Sequence, residues 1–226
     1  MRFSQRVFQM AVVAMITATP AFAQGGMAGM DHDAAAPVEG GGKLPAGWSA
    51  RTDQDRPLSN VKFEKMGEGW HFTMGGTAAV LYRETDKATG NYHTVAKLTQ
   101  TKSPRAGHGE GMGIIIGGSD LAGPNQAYTY FLVRQDGMFI IKRRTGATTS
   151  TLVDWTENAA VNKADAAGKA TNEVAIGVSG GKASFTVNGK EVYSTDAAKI
   201  DANGIVGLRV NHMLDVHADG FAIHKL

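Results

Sequence analysis

The stretch from Glu110 to Arg144 constrains the fold more than any other part of the chain. It contains three short apolar or aromatic runs, Met112–Gly117, Ala127–Gln135 and Met138–Arg144, separated by turn-forming residues. Runs of this length with Gly, Asp and Pro between them are typical of consecutive antiparallel strands. Asp136-Gly137 joins the last two runs, and Asp-Gly supplies the backbone angles of a tight hairpin. The stretch therefore predicts three neighbouring antiparallel strands.

The same pattern continues along the chain, and helical periodicity is nearly absent. Only Thr195–Ile200 and Asn162–Lys169 are compatible with a turn of helix, and both are predicted to be loop excursions. Asn172–Ser194 is predicted to be a three-strand meander, because Asn188-Gly189 is a strong hairpin signal. The predicted strands are Val61–Lys65, Trp70–Met74, Ala78–Glu84, Tyr92–Lys102, Met112–Gly117, Ala127–Gln135, Met138–Arg144, Ser150–Trp155, Glu173–Ser179, Ala183–Val187, Lys190–Tyr193, Ile205–Val210 and Leu214–Ile223. Thirteen short strands predict an all-β sandwich of two antiparallel sheets.

Two further connections are predicted from sequence order. Lys87–Gly90 is predicted to be a hairpin turn between the strands on either side of it. Near the end, Gly204–Val210 is predicted to pair with Leu214–Leu226, since the two runs follow each other closely.

Residues 1–23 are typical of a secretory signal peptide. Arg2 and Arg6 precede a short apolar run, and Ala21-Phe22-Ala23 forms a cleavage site before Gln24. The run is well short of the ~20 residues that span a bilayer, and no later stretch is long and apolar enough to span one. We expect a mature chain that begins at Gln24 and is exported to a periplasm or the extracellular space. The absence of cysteine is compatible with export, since a domain of this size buries a sufficient core without disulfides.

The charge of the mature chain gives no support to a polyanionic partner. Two of the 23 Lys and Arg residues lie in the signal peptide, which leaves 21 against 21 Asp and Glu. The mature chain is formally neutral, so its composition does not favour nucleic acid or an anionic membrane as partner. The sequence carries no signal for an oligomeric state.

Residues 24–43 are rich in Gly and Ala and are predicted to be a flexible arm before a domain at residues 44–226. The arm contains Met27, Met30 and His32. Thioether and imidazole groups are ligands that copper accepts, so a metal-handling arm is one alternative, and a plain linker is the other.

The order of elements near the end resembles a known family. Val187-Asn188-Gly189-Lys190 closes a meander, Gly204–Leu208 follows, and Asp219–Ile223 lies in the final strand. This arrangement is similar to the concanavalin A-like jelly roll of lectins and glucanases, and most similar to the 3-keto-disaccharide hydrolase domain family. The resemblance implies a jelly-roll sandwich with a sugar-binding concave sheet. If the protein is an enzyme, the resemblance implies a hydrolase of small 3-keto-glycosides.

The carboxylates of related glucanases are not all present. Those enzymes carry a Glu-x-Asp-x-x-Glu strand, because glycoside hydrolysis needs an acid and a carboxylate on either side of the bond. This chain has only Glu84-Thr85-Asp86. A laminarinase-type mechanism is therefore excluded, and a carboxylate pair from distant strands stays open.

Side-chain alternation identifies candidate ligand-binding residues. Tyr130 and Phe131 point to opposite faces of a strand, so if Phe131 is core, Tyr130 faces outward. A stacking contribution of about 1 kcal/mol is then expected from Tyr130, with the fold intact after truncation to Ala. The residues that we expect to contact ligand are His93, Lys97, Glu110, Tyr130, Arg144 and His217. All but Glu110, which lies on a loop, are expected to converge on one sheet.

No metal or cofactor is predicted. Asp215, His217 and Asp219 share one face of the last strand, but neighbours at this spacing lie ~7 Å apart, which is wide for a compact metal site. The plain alternative for this polar face is a solvated sheet surface. The sequence thus predicts an exported jelly-roll protein that binds a glycan or small sugar. The alternatives are a 3-keto-glycoside hydrolase and a periplasmic metal-handling or envelope interaction protein.

Overall fold

The computed structural model describes residues 37–102 and 109–226, all of which belong to one unit. The predicted signal peptide and the Met27, Met30 and His32 cluster lie outside the described residues. Residues 37–43, the end of the predicted arm, contact the domain: Val38 N–H donates to Ser59 O at 2.8 Å, and Gly42 N–H donates to Val61 O at 3.0 Å.

The described residues form fourteen strands and three short 3₁₀ turns. The strands are β1 (Ser49–Thr52), β2 (Val61–Met66), β3 (Gly69–Met74), β4 (Ala79–Ala88), β5 (Tyr92–Gln100), β6 (Gly111–Ser119), β7 (Ala127–Arg134), β8 (Met138–Thr145), β9 (Thr148–Glu157), β10 (Ala170–Ser179), β11 (Lys182–Val187), β12 (Lys190–Asp196), β13 (Gly204–Val210) and β14 (Asp215–Lys225). The turns are Asp53–Asp55, Leu58–Asn60 and Ala197–Lys199. All thirteen predicted strands are present, and β1 is the strand that sequence patterning missed.

The strands build two seven-stranded antiparallel sheets. The first sheet has the order β1-β4-β13-β6-β7-β8-β9, and the second sheet has the order β12-β11-β10-β5-β14-β3-β2. The face of each sheet that points away from the shared core is called its outer face below. This arrangement confirms the predicted all-β sandwich.

The stretch from Glu110 to Arg144 forms β6, β7 and β8 side by side in the first sheet, as predicted. Gly137 closes the β7–β8 hairpin with φ of 90°, and its N–H donates to Arg134 O at 3.1 Å. Phe131 and Val133 face the shared core, and Tyr130 lies on the opposite face. A register shift between Ile116 and Ser119 interrupts the β6–β7 pairing.

The predicted meander is confirmed as β10, β11 and β12 at one edge of the second sheet. Asn188 and Gly189 form its second turn with φ values of 49° and 75°. Both residues are thus in the left-handed region that a two-residue hairpin of this hand requires.

Of the two predicted loop excursions, one contains a short helical turn. Thr195–Ile200 includes the 3₁₀ turn Ala197–Lys199, whereas Asn162–Lys169 contains no helix. The second stretch consists instead of bends and turns between β9 and β10.

Two predicted pairings are wrong. Residues 87–90 do not form a hairpin turn, because β4 belongs to the first sheet and β5 to the second. Likewise β13 lies between β4 and β6, whereas β14 lies between β5 and β3, so the two do not pair. In both cases the chain crosses from one sheet to the other within a few residues. A short connection between strands favours pairing but does not require it when two sheets face each other.

The main core fills the space between the sheets. Phe72, Leu98, Ile114, Phe131 and Phe185 are fully buried there. Burial of this apolar surface makes the largest favourable contribution to holding the sheets together. Among residues 37–102 and 109–226, no helix is long and apolar enough to cross a membrane.

Candidate functional site

The predicted ligand-binding residues do not share one face. Tyr130 and Arg144 lie in the first sheet, whereas His93, Lys97 and His217 lie in the second. The prediction that these five residues converge is therefore wrong. The physical reason is that alternation assigns a residue to the inside or outside of its own sheet, but does not say which sheet the strand joins.

Glu110 immediately precedes β6. Its carboxylate lies 3.1 Å from Nε2 of His212, and its side chain is only 12% exposed. This pairing fixes the junction between β6 and the residues that follow β13. His108, which lies close to Glu110 in the sequence, is outside the described residues.

A second apolar cluster covers the outer face of the first sheet. Outer faces are usually polar because they meet water, so an aromatic cluster there is unusual. Trp155 of β9 packs against this cluster. The cluster consists of Val80, Tyr82, Ile115, Leu121, Tyr128, Tyr130, Leu132, Ile140 and Ile205.

Arg209 of β13 is buried within this outer cluster and is only 4% exposed. Its Nη2 and Nη1 donate to the two carboxylate oxygens of Asp53 at 2.7 and 3.1 Å. Nη1 also lies 3.1 Å from the hydroxyl of Tyr128, and the guanidinium lies 5.0 Å from the ring centre of Tyr130. A buried charge is tolerated only when it is paired and hydrogen-bonded, and Asp53 fulfils that role.

Asp53 is brought over the sheet by the turn that follows β1. Its N–H donates to Ala78 O at 2.9 Å, and the next two residues, Gln54 and Asp55, have φ of 57° and 55°. Burial of the Asp53 carboxyl opposes ionisation, but Arg209, with Arg144 and Arg51 nearby, holds its pKa below the ordinary value. Two successive non-glycine residues in the left-handed region are an uncommon and strained arrangement.

A small pocket, called here the Trp155 pocket, opens beside Arg209 on this outer face, with a volume of about 130 Å³. Nε of Arg209 and Oδ1 of Asn211 are buried and have no hydrogen-bond partner among the described residues. Most buried polar groups in proteins are satisfied, so these two atoms are exceptions at the edge of the pocket. The pocket is lined by Tyr130, Leu132, Ile140, Lys142, Trp155, Arg209 and Asn211.

The pocket's aromatic wall is held in place by a second arginine. Arg134 of β7 lies over the ring of Trp155, with 4.5 Å between its guanidinium carbon and the ring centre. Asp136 fixes that guanidinium through hydrogen bonds of 2.6 and 2.9 Å. Stacking on a paired guanidinium restricts the indole, so the ring presents a defined surface.

The outer face of the second sheet carries a larger pocket of about 560 Å³. His71 of β3 and His217 of β14 are directly opposite in the ladder, and their ring centres are 6.0 Å apart. The pocket is lined by Met66, Gly67, His71, Thr99, Thr101, Lys169, His217 and Asp219. We call it the His71–His217 pocket.

Each of these two imidazoles is bound to a carboxylate. Nε2 of His71 lies 3.3 Å from Asp215, and Nε2 of His217 lies 3.0 Å from Asp219. Gly69 leaves room for the second pair, since a Cβ there would lie 2.8 Å from Nε2 of His217. Burial opposes ionisation of Asp215, but a hydrogen bond from Thr101 and the proximity of His71 hold its pKa below the ordinary value.

This arrangement is a poor catalytic or metal centre. Nε2 of each histidine is occupied by a carboxylate, and Nδ1 of each is buried without a partner among the described residues. Neither ring therefore presents a free nitrogen to the pocket, which a base or a metal ligand requires. Within residues 37–102 and 109–226, no three His, Cys, Asp or Glu side chains are placed to hold a metal ion.

The remaining predicted residues of the second sheet lie farther along it. His93 stacks near His224, with 6.2 Å between ring centres, and Lys97 is opposite Asp219 in the β5–β14 ladder. His93 and Lys97 do not line the His71–His217 pocket. Of the six predicted residues, Tyr130 alone lines the Trp155 pocket. Arg144 contacts Asp53, the partner of Arg209, at 3.6 Å.

Sequence reasoning missed Asp53, Trp155, Arg209 and Asn211. A signal was present for Arg209, because a lone arginine inside the apolar run Gly204–Val210 needs a buried partner. Trp155 lay at the end of a predicted strand, but its face was not assigned. No local pattern identifies Asp53, which reaches Arg209 across 156 residues of sequence.

No family model matches this sequence, and no curated protein matches it. Solved structures do match. The carbohydrate-binding module CBM66 of Bacillus subtilis superposes with a TM-score of 0.57 at 11% identity, covering 79% of this chain and 96% of that one. A Bacillus subtilis protein of unknown function with a galectin-like fold has a TM-score of 0.56 at 9% identity, covering 79% and 89%.

A GH16 protein of the Bacteroides ovatus mixed-linkage glucan PUL, solved with a product, has a TM-score of 0.52 at 8% identity and covers 78% of this chain and 94% of that one. These likenesses define the class: the domain is a jelly-roll sandwich of the concanavalin A-like and galectin-like kind. At such low identity they establish the fold alone, and they do not single out the 3-keto-disaccharide hydrolase family.

Proposed function

We propose that this protein binds a glycan at the Trp155 pocket, on the outer face of the first sheet. The observation that carries the proposal is the meeting of a stacked indole, Trp155, with the polar side chains of Lys142 and Asn211 in one pocket. Sugars present apolar C–H faces and a rim of hydroxyls, so an aromatic ring beside polar groups is suited to them.

Each part of the pocket has a role in this proposal. The ring of Trp155 stacks on one sugar, and the amide side chain of Asn211, which lines the pocket, hydrogen-bonds a hydroxyl. Lys142 donates from β8, where it is directly opposite Tyr130. The pocket volume of about 130 Å³ is below the usual range for a drug-sized ligand, so it suits one sugar unit or a chain end.

The fold supports a binding protein. The Bacillus subtilis module of the same fold is named as carbohydrate-binding, and the Bacteroides ovatus protein is named for a mixed-linkage glucan. We further propose export, on the basis of the signal peptide predicted at residues 1–23. Hydrolysis is the weaker alternative, because no described Asp or Glu lines the pocket. Asp53, which pairs with Arg209 of the pocket, is not free to act as an acid.

A glycan array probed with the mature protein, followed by calorimetry on the best ligand, tests this proposal. Trp155→Ala should weaken binding by about tenfold, since stacking on an aromatic ring contributes about 1 kcal/mol or slightly more. His93→Ala on the outer face of the second sheet is the matched control and should bind as the unmodified protein does.

Variants on the two sheets also show whether the ligand site is on the second sheet instead. If His93→Ala or His217→Ala abolishes binding while Trp155→Ala binds normally, the ligand site is on the second sheet. If no glycan binds, the proposed function is wrong.

A further inference from the structure

The charged groups around the Trp155 pocket are not balanced. Three cationic side chains belong to it: Lys142 and Arg209 line the pocket, and Arg134 lies over the ring of Trp155. Two carboxylates pair with them: Asp136 binds Arg134, and Asp53 is shared between Arg209 and Arg144. The three cations of the pocket and these two carboxylates leave one positive charge in excess.

Lys142 is the cation that remains available. It lines the pocket and makes no ion pair or side-chain hydrogen bond with any of the described residues. By contrast, Arg134 and Arg209 are each held by two or more hydrogen bonds to a carboxylate. The pocket therefore combines fixed guanidinium groups with one unpaired ammonium group.

The buried residues next to Lys142 strengthen the effect of its charge. Tyr130 and Leu132 are 6% and 2% exposed, so this part of the pocket rests on the packed outer apolar cluster. A charge near a low-dielectric wall acts on a ligand more strongly than the same charge in open water. The effect favours an anionic group on the ligand, placed where Lys142 donates to it.

We propose that the glycan bound at the Trp155 pocket is acidic, carrying a carboxylate or a sulfate that Lys142 binds. This inference rests on the proposed glycan-binding function and adds the chemical class of the ligand. A uronate and a sulfate ester share the chemistry that matters, a compact anion with several acceptor oxygens.

The experiment compares probe pairs that differ in charge. One pair is tetragalacturonate and its fully methyl-esterified form, and the other is dextran sulfate and dextran, all measured by calorimetry at physiological salt. Tetragalacturonate binding identifies a carboxylate, and dextran sulfate binding identifies a sulfate. In the pair that binds, the charged probe should bind at least tenfold more tightly than the neutral one.

Two variants separate the pocket from general charge attraction. Lys142→Gln should weaken binding of the charged probe by about tenfold, in line with loss of one charge-assisted hydrogen bond. Lys190→Gln, at the edge of the second sheet, removes the same charge elsewhere and should leave binding unchanged.

The outcomes distinguish the two proposals. If charged and neutral probes bind equally well, the acidic-glycan inference is wrong. If Trp155→Ala also loses this binding, the proposed glycan-binding function is retained. Equal weakening by Lys142→Gln and Lys190→Gln also overturns the inference, because the attraction is then diffuse. Absence of binding to every glycan on the array overturns both.

Discussion

The carboxylate of Asp53 accepts two hydrogen bonds from the buried guanidinium of Arg209, at 2.7 and 3.1 Å. The two residues are separated by 156 positions in the sequence. The pair joins the turn after β1 to the centre of the first sheet, and it fixes the guanidinium that packs on the ring of Tyr130 beside the Trp155 pocket.

Asp53→Asn should destabilise the protein by about 2 kcal/mol at neutral pH, because Arg209 would remain buried without a full counter-charge. Urea unfolding measures this difference. Asp55→Asn is the matched control: its carboxylate is paired with Arg51 at 2.7 Å but is 73% exposed, so its loss should have little effect.

The effect of Asp53 should depend on pH. Its folded-state pKa lies below the ordinary value of 3.8, so its stabilising contribution is complete above that pH. The contribution is lost as the pH falls from 3.8 through the lower folded-state pKa. The stability difference between the unmodified protein and Asp53→Asn should therefore shrink in that acidic range, and a difference that grows there would contradict this assignment.

Tyr130→Ala should destabilise the fold by about 3 kcal/mol, because a buried aromatic side chain leaves a cavity when truncated. The sequence placed Tyr130 on the outer side of β7, which is confirmed, but its exposure of 6% makes it part of the outer apolar cluster. Tyr130→Phe retains the ring and should keep stability within about 0.5 kcal/mol. Thermal unfolding of the two variants, measured together, checks the expectation.

Asn188→Ala should destabilise the domain by about 3 kcal/mol, because it removes three hydrogen bonds and strains the turn. Its Nδ2 donates to Ala160 O and to Asn172 Oδ1, both at 2.8 Å, and its Oδ1 accepts from Glu173 N–H at 2.9 Å. Asn188→Gly loses the same hydrogen bonds but accepts the φ of 49° without strain, so it should be about 1 kcal/mol more stable than Asn188→Ala. Equal melting temperatures for the two variants would show that the backbone geometry contributes nothing.

Thr101→Val should raise the pKa of Asp215 towards its ordinary value, because the hydroxyl of Thr101 donates to that carboxylate. The depressed pKa stabilises the fold above the ordinary value of 3.8, and this contribution is lost as the pH falls through the folded-state pKa. NMR titration of the Asp215 carboxyl measures the shift. Thr171→Val, which removes a hydroxyl paired with Thr99 instead, should leave that titration unchanged.

Much of the fold follows from local sequence. The hairpin at Gly137, the meander turning at Asn188-Gly189 and the inward position of Phe131 result from turn chemistry and from the two-residue period of a strand. These features depend on residues that are neighbours in the chain, so a single sequence is sufficient to predict them.

The candidate site depends instead on contacts between distant strands. Tyr130 and His217 have similar local patterns, yet they lie on different sheets, because each strand's sheet depends on which distant strand it pairs with. Asp53 meets Arg209 only because β13 lies between β4 and β6 and β1 pairs with β4. Contacts of this kind are set by the packing of the whole sandwich, and no local periodicity encodes them.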